Sequence, residues 1–472
     1  MDIKKDKFNK IAFDFKRDKI KWISIGLWAS LFIAVIVLFS VFWTTKNVIW
    51  TQEDSFSNST TGLAEDQISY GGIAKSYGGI AIYPMAMTIG MLVAILFSLY
   101  KFWKKGLDVI HLSIGIAICI PISLMGASFF GKLNAQSPGV NAGGVGFWGL
   151  FAFWEPGMAI HGGVYGGLLA GIILFYFVGR KTKTSMLVYA DAIVPNILLG
   201  QAIGRWGNFF NHEVMGAPVA VTYHGGGWNL GSNGVDWTNV HDYYSWLPKW
   251  IGRNLMVRAD SSQTINGITF NKGDLVQLSP IFLYESLSLL AAWLIITFII
   301  PNITKWISKK PWKVESGKYN YKLSFSIKQW FMPWIKSTDE VQSSRDIWNL
   351  AYFRNIDEKA KEQYLISLEL DRKKYLKPKE INKANKLNDY ISTKAGVECF
   401  AYFFAWNFVR FFLELSRPDD HLFVMYDKPL SLSLILISAF IGLIGMVASQ
   451  YWLPSLIRKN GYLYEKEYFS LN

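Results

Sequence analysis

The sequence predicts an all-α polytopic membrane protein, and three observations carry that reading. Apolar residue types make up 51% of the chain and fall in long blocks rather than amphipathic stripes. The basic residues that give the chain its formal charge of +13 are spread unevenly between those blocks. Arginine, asparagine, histidine and glutamate then gather at a few block ends, where a polar group facing lipid unpaired would be costly. We read the positive charge as orientation and attraction to anionic membrane lipids, with no nucleic-acid partner. Cys119 and Cys399 are the two cysteines, both in or beside apolar blocks, which argues against a disulfide framework or a cysteine metal site.

Residues 1–21 form a lysine-rich leader ahead of the apolar run Trp22 to Trp43. That run is too long for a signal-peptide core, and Thr44-Thr45-Lys46 offers no small-residue cleavage site, so it is expected to stay as an anchor. Residues 46–79 are polar and hold the short duplication Ser69 to Ala74 and Ser76 to Ala81. Further spans are expected at Ile80 to Tyr100, Leu107 to Phe130, Met158 to Val178, Met186 to Ile203, Leu278 to Ile300, Gly396 to Leu415 and Leu432 to Trp452. Lys101, Lys104 and Lys105, then Arg180, Lys181 and Lys183, then segment 301–395, then Arg458, Lys459 and Lys466 all fall on the side of the leader. The alternate connections 46–79, 131–157, 206–277 and 416–430 carry few basic residues. Both termini are therefore expected in the cytoplasm, with 454–472 as a cytoplasmic tail.

That topology gives the unusual polar residues one depth. His161 falls near the outer end of an inward-running span, Arg205 and Asn208 at the outer end of an outward-running one, and Arg410, Glu414 and Arg417 at the close of another; Tyr284 and Glu285 open an inward-running helix. Residues kept only for local structure would have no cause to share a depth. Within Gly200 to Gly216, a continuing helix would bring Arg205, Asn208 and Asn211 onto one broad face. The glycines there clear the backbone for another helix or a lipid headgroup. Two readings fit the stretch: a snorkelling arginine with interfacial neighbours, or a site for an anionic headgroup. Around His161, the glycines at 162, 163, 166 and 167 again clear the backbone, and an imidazole can take a proton near neutral pH. Arg410, Glu414 and Arg417 share a helical face, which fits a structural ion pair and fits equally a guanidinium fork preorganised for phosphate.

With these residues in view, the chain resembles the bacterial prolipoprotein diacylglyceryl transferases. Gly204 to Gly216 matches the family signature Gly-Arg-x-Gly-Asn-Phe-x-Asn-x-Glu-x-x-Gly at every specified position. Trp154-Glu155 with His161-Gly162-Gly163, the run Pro280 to Ser286, and Arg410 with Glu414 resemble further family blocks in the right order. The resemblance covers 80–300 and 396–453. It implies a seven-helix transferase-like core preceded by one extra N-terminal transmembrane helix (1–45), with the insert 301–395 as a further addition. Pro84-Met85-Ala86 replaces the usual Trp-Tyr-Gly triplet, Trp406 stands where some members have tyrosine, and Ser279 where histidine is common.

The resemblance implies transfer of the diacylglyceryl group of phosphatidylglycerol to the lipobox cysteine of a preprolipoprotein signal peptide, in a bacterial cell membrane, near the extracytoplasmic leaflet. In that scheme Arg205 and Arg410 clamp the phosphodiester, Asn208 and Asn211 hold the headgroup, Glu213 or Glu414 orients them, and His161 is the first choice for the base, with a carboxylate as the alternative. Gly204, Gly162, Gly163 and Tyr284 complete the substrate-binding set. No cofactor or metal is expected: His212 and Glu213 are adjacent and would point apart on a helix, and no Gly-x-x-x-x-Gly-Lys loop occurs. A transporter of an anionic lipid or phosphate-containing solute would also place arginines between helices, although no inverted repeat is visible. The connection 217–277 is expected to form a small head over the site. The insert is expected to be α+β, with strand-like alternation of Tyr319, Tyr321, Leu323, Phe325 and Ile327 and helix from Arg345 to Lys386.

Overall fold

Long apolar helices pack side by side in the computed structural model, and a small mixed sheet caps one end of them. The structure describes residues 26–34, 50–51, 76–77, 80–105, 107–134, 147–153, 158–182, 184–211, 215–225, 230–231, 234–235, 239–259, 261–314, 316–332, 335–348, 393–415, 417, 422–424 and 427–453. Among the described residues, six helical stretches are long and apolar enough to cross a membrane: Ile82–Trp103, Val109–Leu133, His161–Thr182, Met186–Phe210, Ile281–Val314 and Lys428–Trp452. A further helix, Val397–Glu414, is 18 residues long and carries Glu398, Arg410 and Glu414. Of the expected N-terminal anchor, 26–34 is helical and the remainder lies outside the described residues.

The helices are α1 (Ile82–Lys104), α2 (Val109–Asn134), α3 (Ile160–Thr182), α4 (Met186–Ile193) and α5 (Ile197–Asn211). Pro195 explains the join between α4 and α5, a 3-10 turn over Val194–Asn196, because proline cannot donate to a regular ladder. Next come α6 (Lys249–Asn254) and α7 (Ile281–Leu294), which runs through a π turn at Ile295–Ile299 into α8 (Ile300–Ile307). Then follow α9 (Leu323–Phe331), α10 (Val397–Glu414) and α11 (Lys428–Val447).

Glycine decides which helices touch. A Cβ on Gly126 would fall 2.6 Å from the Gly162 carbonyl oxygen, so α2 and α3 meet backbone to backbone. Gly90 of α1 and Gly200 of α5 make a similar contact, with 2.6 Å from a Cβ on Gly90 to the Gly200 oxygen. Between α5, α7 and α10 the buried core includes Leu198, Leu289, Trp293, Tyr402 and Trp406. Large apolar side chains such as Leu169, Phe177, Ile437 and Ile444 face outward, the distribution a lipid solvent permits.

At one end, the strands β1 (Trp50–Thr51), β7 (Met256–Arg258), β10 (Leu275–Leu278) and β4 (Pro218–Tyr223) form a sheet in the order β1-β7-β10-β4. Strands β2 (Ser76–Tyr77) and β3 (Ile80–Ala81) pair antiparallel, so the second copy of the short duplication is a hairpin; the first copy lies outside the described residues. Two more hairpins pair β5 (Leu230–Gly231) with β6 (Gly234–Val235), and β8 (Gln263–Ile265) with β9 (Ile268–Phe270). Phe209, Phe210 and Phe282 from the helices share one buried cluster with Leu255, Val257, Phe270 and Leu278, which fastens the sheet to the bundle.

At the other end, Asp191 accepts the backbone N–H groups of Gly396 and Cys399, each at 2.8 Å, and so caps the start of α10. Lys101 closes the cluster with an ion pair to Glu398 at 2.8 Å.

Two expectations are corrected here. Leu278 belongs to β10, so the span expected to open there begins at Ile281, and its helix runs past Ile300 to Ile307. The strand expected over 319–327 is instead α9 from Leu323 onward, and among the described residues of 301–395 the strand-like pairing is a single bridge, Tyr321 to Gln342. The α+β insert therefore has no sheet among its described residues. Alternation alone cannot hold a strand without a neighbour to pair with, and Leu323, Ile327, Trp330 and Phe331 equally form one helical face. Helix is present at 344–348, and 349–392 lie outside the described residues.

Candidate functional site

Four chain segments deliver polar side chains to the end of the bundle beneath the sheet. Helix α5 continues to Asn211, eight residues past Ile203, and so carries Arg205 and Asn208 inward on consecutive turns. Arg205 donates from Nη1 to the Asn208 Oδ1 at 3.4 Å, and each residue is 8% exposed. Helix α7 opens with Pro280 as its cap and brings in Glu285, 1% exposed. The end of α10 supplies Arg410 and Glu414, and Arg417 follows just beyond. The first turn of α3 supplies His161.

These groups form one network. The Glu285 carboxylate takes Arg205 Nη2 on Oε1 at 2.8 Å and Arg417 Nη2 on Oε2 at 2.6 Å. Arg410 Nε lies 2.8 Å from Glu414 Oε2. The second oxygen of Glu414 accepts the Ser431 hydroxyl at 2.5 Å and the backbone N–H of Phe423. All three guanidinium groups lie within electrostatic reach of His161. Burial strengthens each of these interactions, because little water screens them. Three arginines facing two glutamates leave one formal positive charge among the described side chains of the network.

His161 is enclosed by rings. Its imidazole stacks on Trp406 at 4.9 Å and lies 4.4 Å from Phe423, centroid to centroid. Among the described residues its Nε2 has no hydrogen-bond partner, nor has the buried Nε of Arg417. Trp406 stacks in turn on Tyr402, whose hydroxyl accepts from Gln201 Nε2 at 3.3 Å.

The glycines of the two motifs are filled from neighbouring helices. A Cβ on Gly204 would lie 2.7 Å from the Met87 sulfur, and one on Gly207 would lie 2.9 Å from Tyr83 Cδ2. Gly162 faces Gly126 and Phe130, while the Gly163 carbonyl accepts the Ser123 hydroxyl at 2.6 Å. Gly216 donates to the Ser279 carbonyl at 2.9 Å and has no room for a Cβ beside Ser279 and Ile281, which ties the end of the α5 motif to the start of α7.

Of the residues singled out from sequence, Arg205, Asn208, His161, Arg410 and Glu414 come together. Tyr284 lies at the rim, 39% exposed, and is hydrogen-bonded to Tyr244 of the capping region. The side chain of Asn211 and all of Glu213 lie outside the described residues. Sequence reasoning put Glu285 and Arg417 at the right depth without giving them a role, and it passed over Tyr83. Arg417 is on the Arg410–Glu414 face, which was its signal. Glu285 was marked by its depth and by the family-like run Pro280 to Ser286, but its pairing had no signal, since its partner Arg417 is 132 positions away.

Fold and site together define a polytopic membrane protein that gathers buried guanidinium groups, two of them on one shared carboxylate, at one end of its helix bundle. The family model of prolipoprotein diacylglyceryl transferase matches residues 73–339, more than half of the chain. The chain belongs to that family. Residues 397–453 lie beyond the match, yet they supply Arg410 and Glu414 to the same network.

Among similar proteins, a phosphatidylglycerol–prolipoprotein diacylglyceryl transferase of Oceanobacillus iheyensis is 34% identical over 154 residues, 32% of this chain and 39% of its own. Those of Mycoplasmopsis pulmonis and Malacoplasma penetrans are 30% identical over 229 residues and 38% over 196. These two matches take in 47% and 38% of this chain, and 59% and 50% of the relatives. The chain thus spans less than two thirds of the length of each of these relatives.

Proposed function

We propose that the protein transfers the diacylglyceryl group of phosphatidylglycerol to the lipobox cysteine of a preprolipoprotein signal peptide. One observation carries the reading: Arg205, Arg410 and Arg417 are buried in one network whose two described carboxylates, Glu285 and Glu414, leave it net positive. A lipid phosphodiester is an anion of the right charge and depth for such a network, and it brings oxygens that match guanidinium forks.

In this scheme the thiol sulfur attacks the glycerol carbon that bears the phosphate. The new C–S bond is a thioether, the C–O bond breaks, and glycerol phosphate leaves with the bonding electrons. Arg205 and Arg410 bind the phosphodiester and stabilise the charge growing on its departing oxygen, in a site where few waters compete. Asn208 and Asn211 hold the headgroup, and Glu213 or Glu414 orients them. A free thiol with a pKa of about 8.5 needs a base at neutral pH, and we assign that proton to His161 Nε2. The aromatic enclosure of His161 by Trp406 and Phe423 supports the assignment by fixing the ring while leaving that nitrogen to a substrate.

The placement we favour has seven core spans, with α10 among them, and an N-terminal anchor before them. The lysine-rich end, both termini and the insert face the cytoplasm. The arginine network then lies beneath the extracytoplasmic face of a bacterial cell membrane, with the sheet as a head where a signal peptide could enter. The basic loops support this orientation. The deciding experiment mixes purified protein, phosphatidylglycerol and a lipobox peptide and follows the peptide mass. A diacylglyceryl increment on the cysteine is the expected result. An unmodified peptide, or lipid movement across a vesicle with no adduct, overturns the proposal.

A further inference from the structure

Helix α9 is inside out for a helix in water. Leu323, Ile327, Trp330 and Phe331 fall at i, i+4, i+7 and i+8 on one face, and they are 62%, 51%, 69% and 75% exposed. The opposite face is the one that binds protein. There Gln329 is buried and donates to the Ile335 carbonyl and to Asp346 Oδ2, both at 2.8 Å, and the Ser326 hydroxyl accepts the backbone N–H of Ser344 at 2.9 Å. A polar face turned inward and an aromatic face turned outward make sense where the outside is not water.

Two observations say what covers that face. The Trp330 ring meets Phe298 edge to face at 6.2 Å, and Phe298 belongs to the π turn within the membrane-long stretch Ile281–Val314. The exposed face of α9 is therefore continuous with the lipid-facing flank of a span. Around it the sequence is cationic, with eight lysines and one glutamate between residues 301 and 336. Lys322 and Lys328 stand on α9 or next to it and are exposed.

We infer that α9 is an interfacial helix that seats Leu323, Ile327, Trp330 and Phe331 in the lipid leaflet at the lysine-rich end of the bundle, with the neighbouring lysines on anionic headgroups. Amphipathic helices bind this way, through buried apolar area plus attraction to anionic lipid. The inference is independent of the transfer chemistry, since it uses no residue of the arginine network.

The test is photo-crosslinking of the full chain in vesicles of phosphatidylcholine with or without phosphatidylglycerol. A benzophenone amino acid is placed singly at Phe331, at Ile444 on the lipid-facing side of α11, or at Lys336. Lipid adducts are expected at 331 and 444 and not at 336. At 331 the adducts should be several-fold enriched in phosphatidylglycerol over its share of the bilayer, and Lys322→Glu with Lys328→Glu should abolish the enrichment while leaving diacylglyceryl transfer intact. Lipid adducts at 444 without any at 331 overturn the inference. So do peptide adducts at 331, from this chain, a second copy or another protein, and so does an enrichment that survives both charge reversals.

Discussion

Glu285 holds two guanidinium groups on one carboxylate, and its loss would be felt twice. Glu285→Gln keeps the size and removes the charge, leaving Arg205 and Arg417 buried without their counter-ion. Stranding a buried charge in this way costs roughly 3–5 kcal/mol, so we expect transfer to fall by at least about a hundredfold, or the protein to melt earlier. Single-turnover transfer and thermal unfolding in detergent, run side by side, separate the two. His161→Phe preserves a flat ring between Trp406 and Phe423 but removes the proton acceptor. Transfer should drop by about 10²–10⁴-fold with phosphatidylglycerol binding intact, and unchanged single-turnover transfer would remove His161 from the role of base. The motif residues of this network were legible because signature and helical spacing both marked them. The pairing of Arg205 with Glu285 was not, because no local rule joins residues 80 positions apart in the chain.

At the scale of elements, backbone contacts and a capping loop carry the expectations. Gly162 of α3 lies against Gly126 of α2, so Gly162→Val forces the pair apart. Overpacking of this kind typically costs about 1–3 kcal/mol, which a thermal unfolding midpoint would register. In the head, burial pushes the Asp274 carboxyl up, but the backbone N–H groups of Gly225 and Asn271 and the His224 side chain outweigh it and hold the group below the ordinary carboxylate range. A lowered folded pKa stabilises above the unfolded value of about 3.9 and is lost as pH falls through the folded one. Amide exchange at Gly225 and Asn271 should therefore stay slow from neutral pH to about pH 4 and accelerate relative to the intrinsic rate only in stronger acid. Asp274→Asn should remove that dependence. Periodicity marked the long helices to within a few residues at most ends, since a lipid-facing helix needs an unbroken apolar run. It misread α9, where alternation and a helical stripe coincide in Leu323 and Ile327.

For the whole molecule, the arginine network and the lysine-rich end lie at opposite ends of one bundle, and the orientation proposed above rests on charge. A membrane-impermeant thiol reagent applied to intact cells should modify Thr269→Cys in the β8–β9 hairpin and spare Lys313→Cys. The reverse pattern would turn the molecule over and move the proposed chemistry to the cytoplasm. Hydropathy marked the long helices, and the basic residues marked one end of them. The sheet was readable only as a head, because its strands are short and one of them, Trp50–Thr51, comes from a distant part of the chain.

The cap on α10 has a consequence that runs the length of the helix. Asp191 grips the first turn of a rod about 27 Å long, at about 1.5 Å per residue, whose last turn presents Arg410. Since such a rod resists shortening, whatever loosens its anchorage at one end slides or tilts the guanidinium at the other. Asp191→Ala would thus be an edit at one end of the bundle with its symptom at the other.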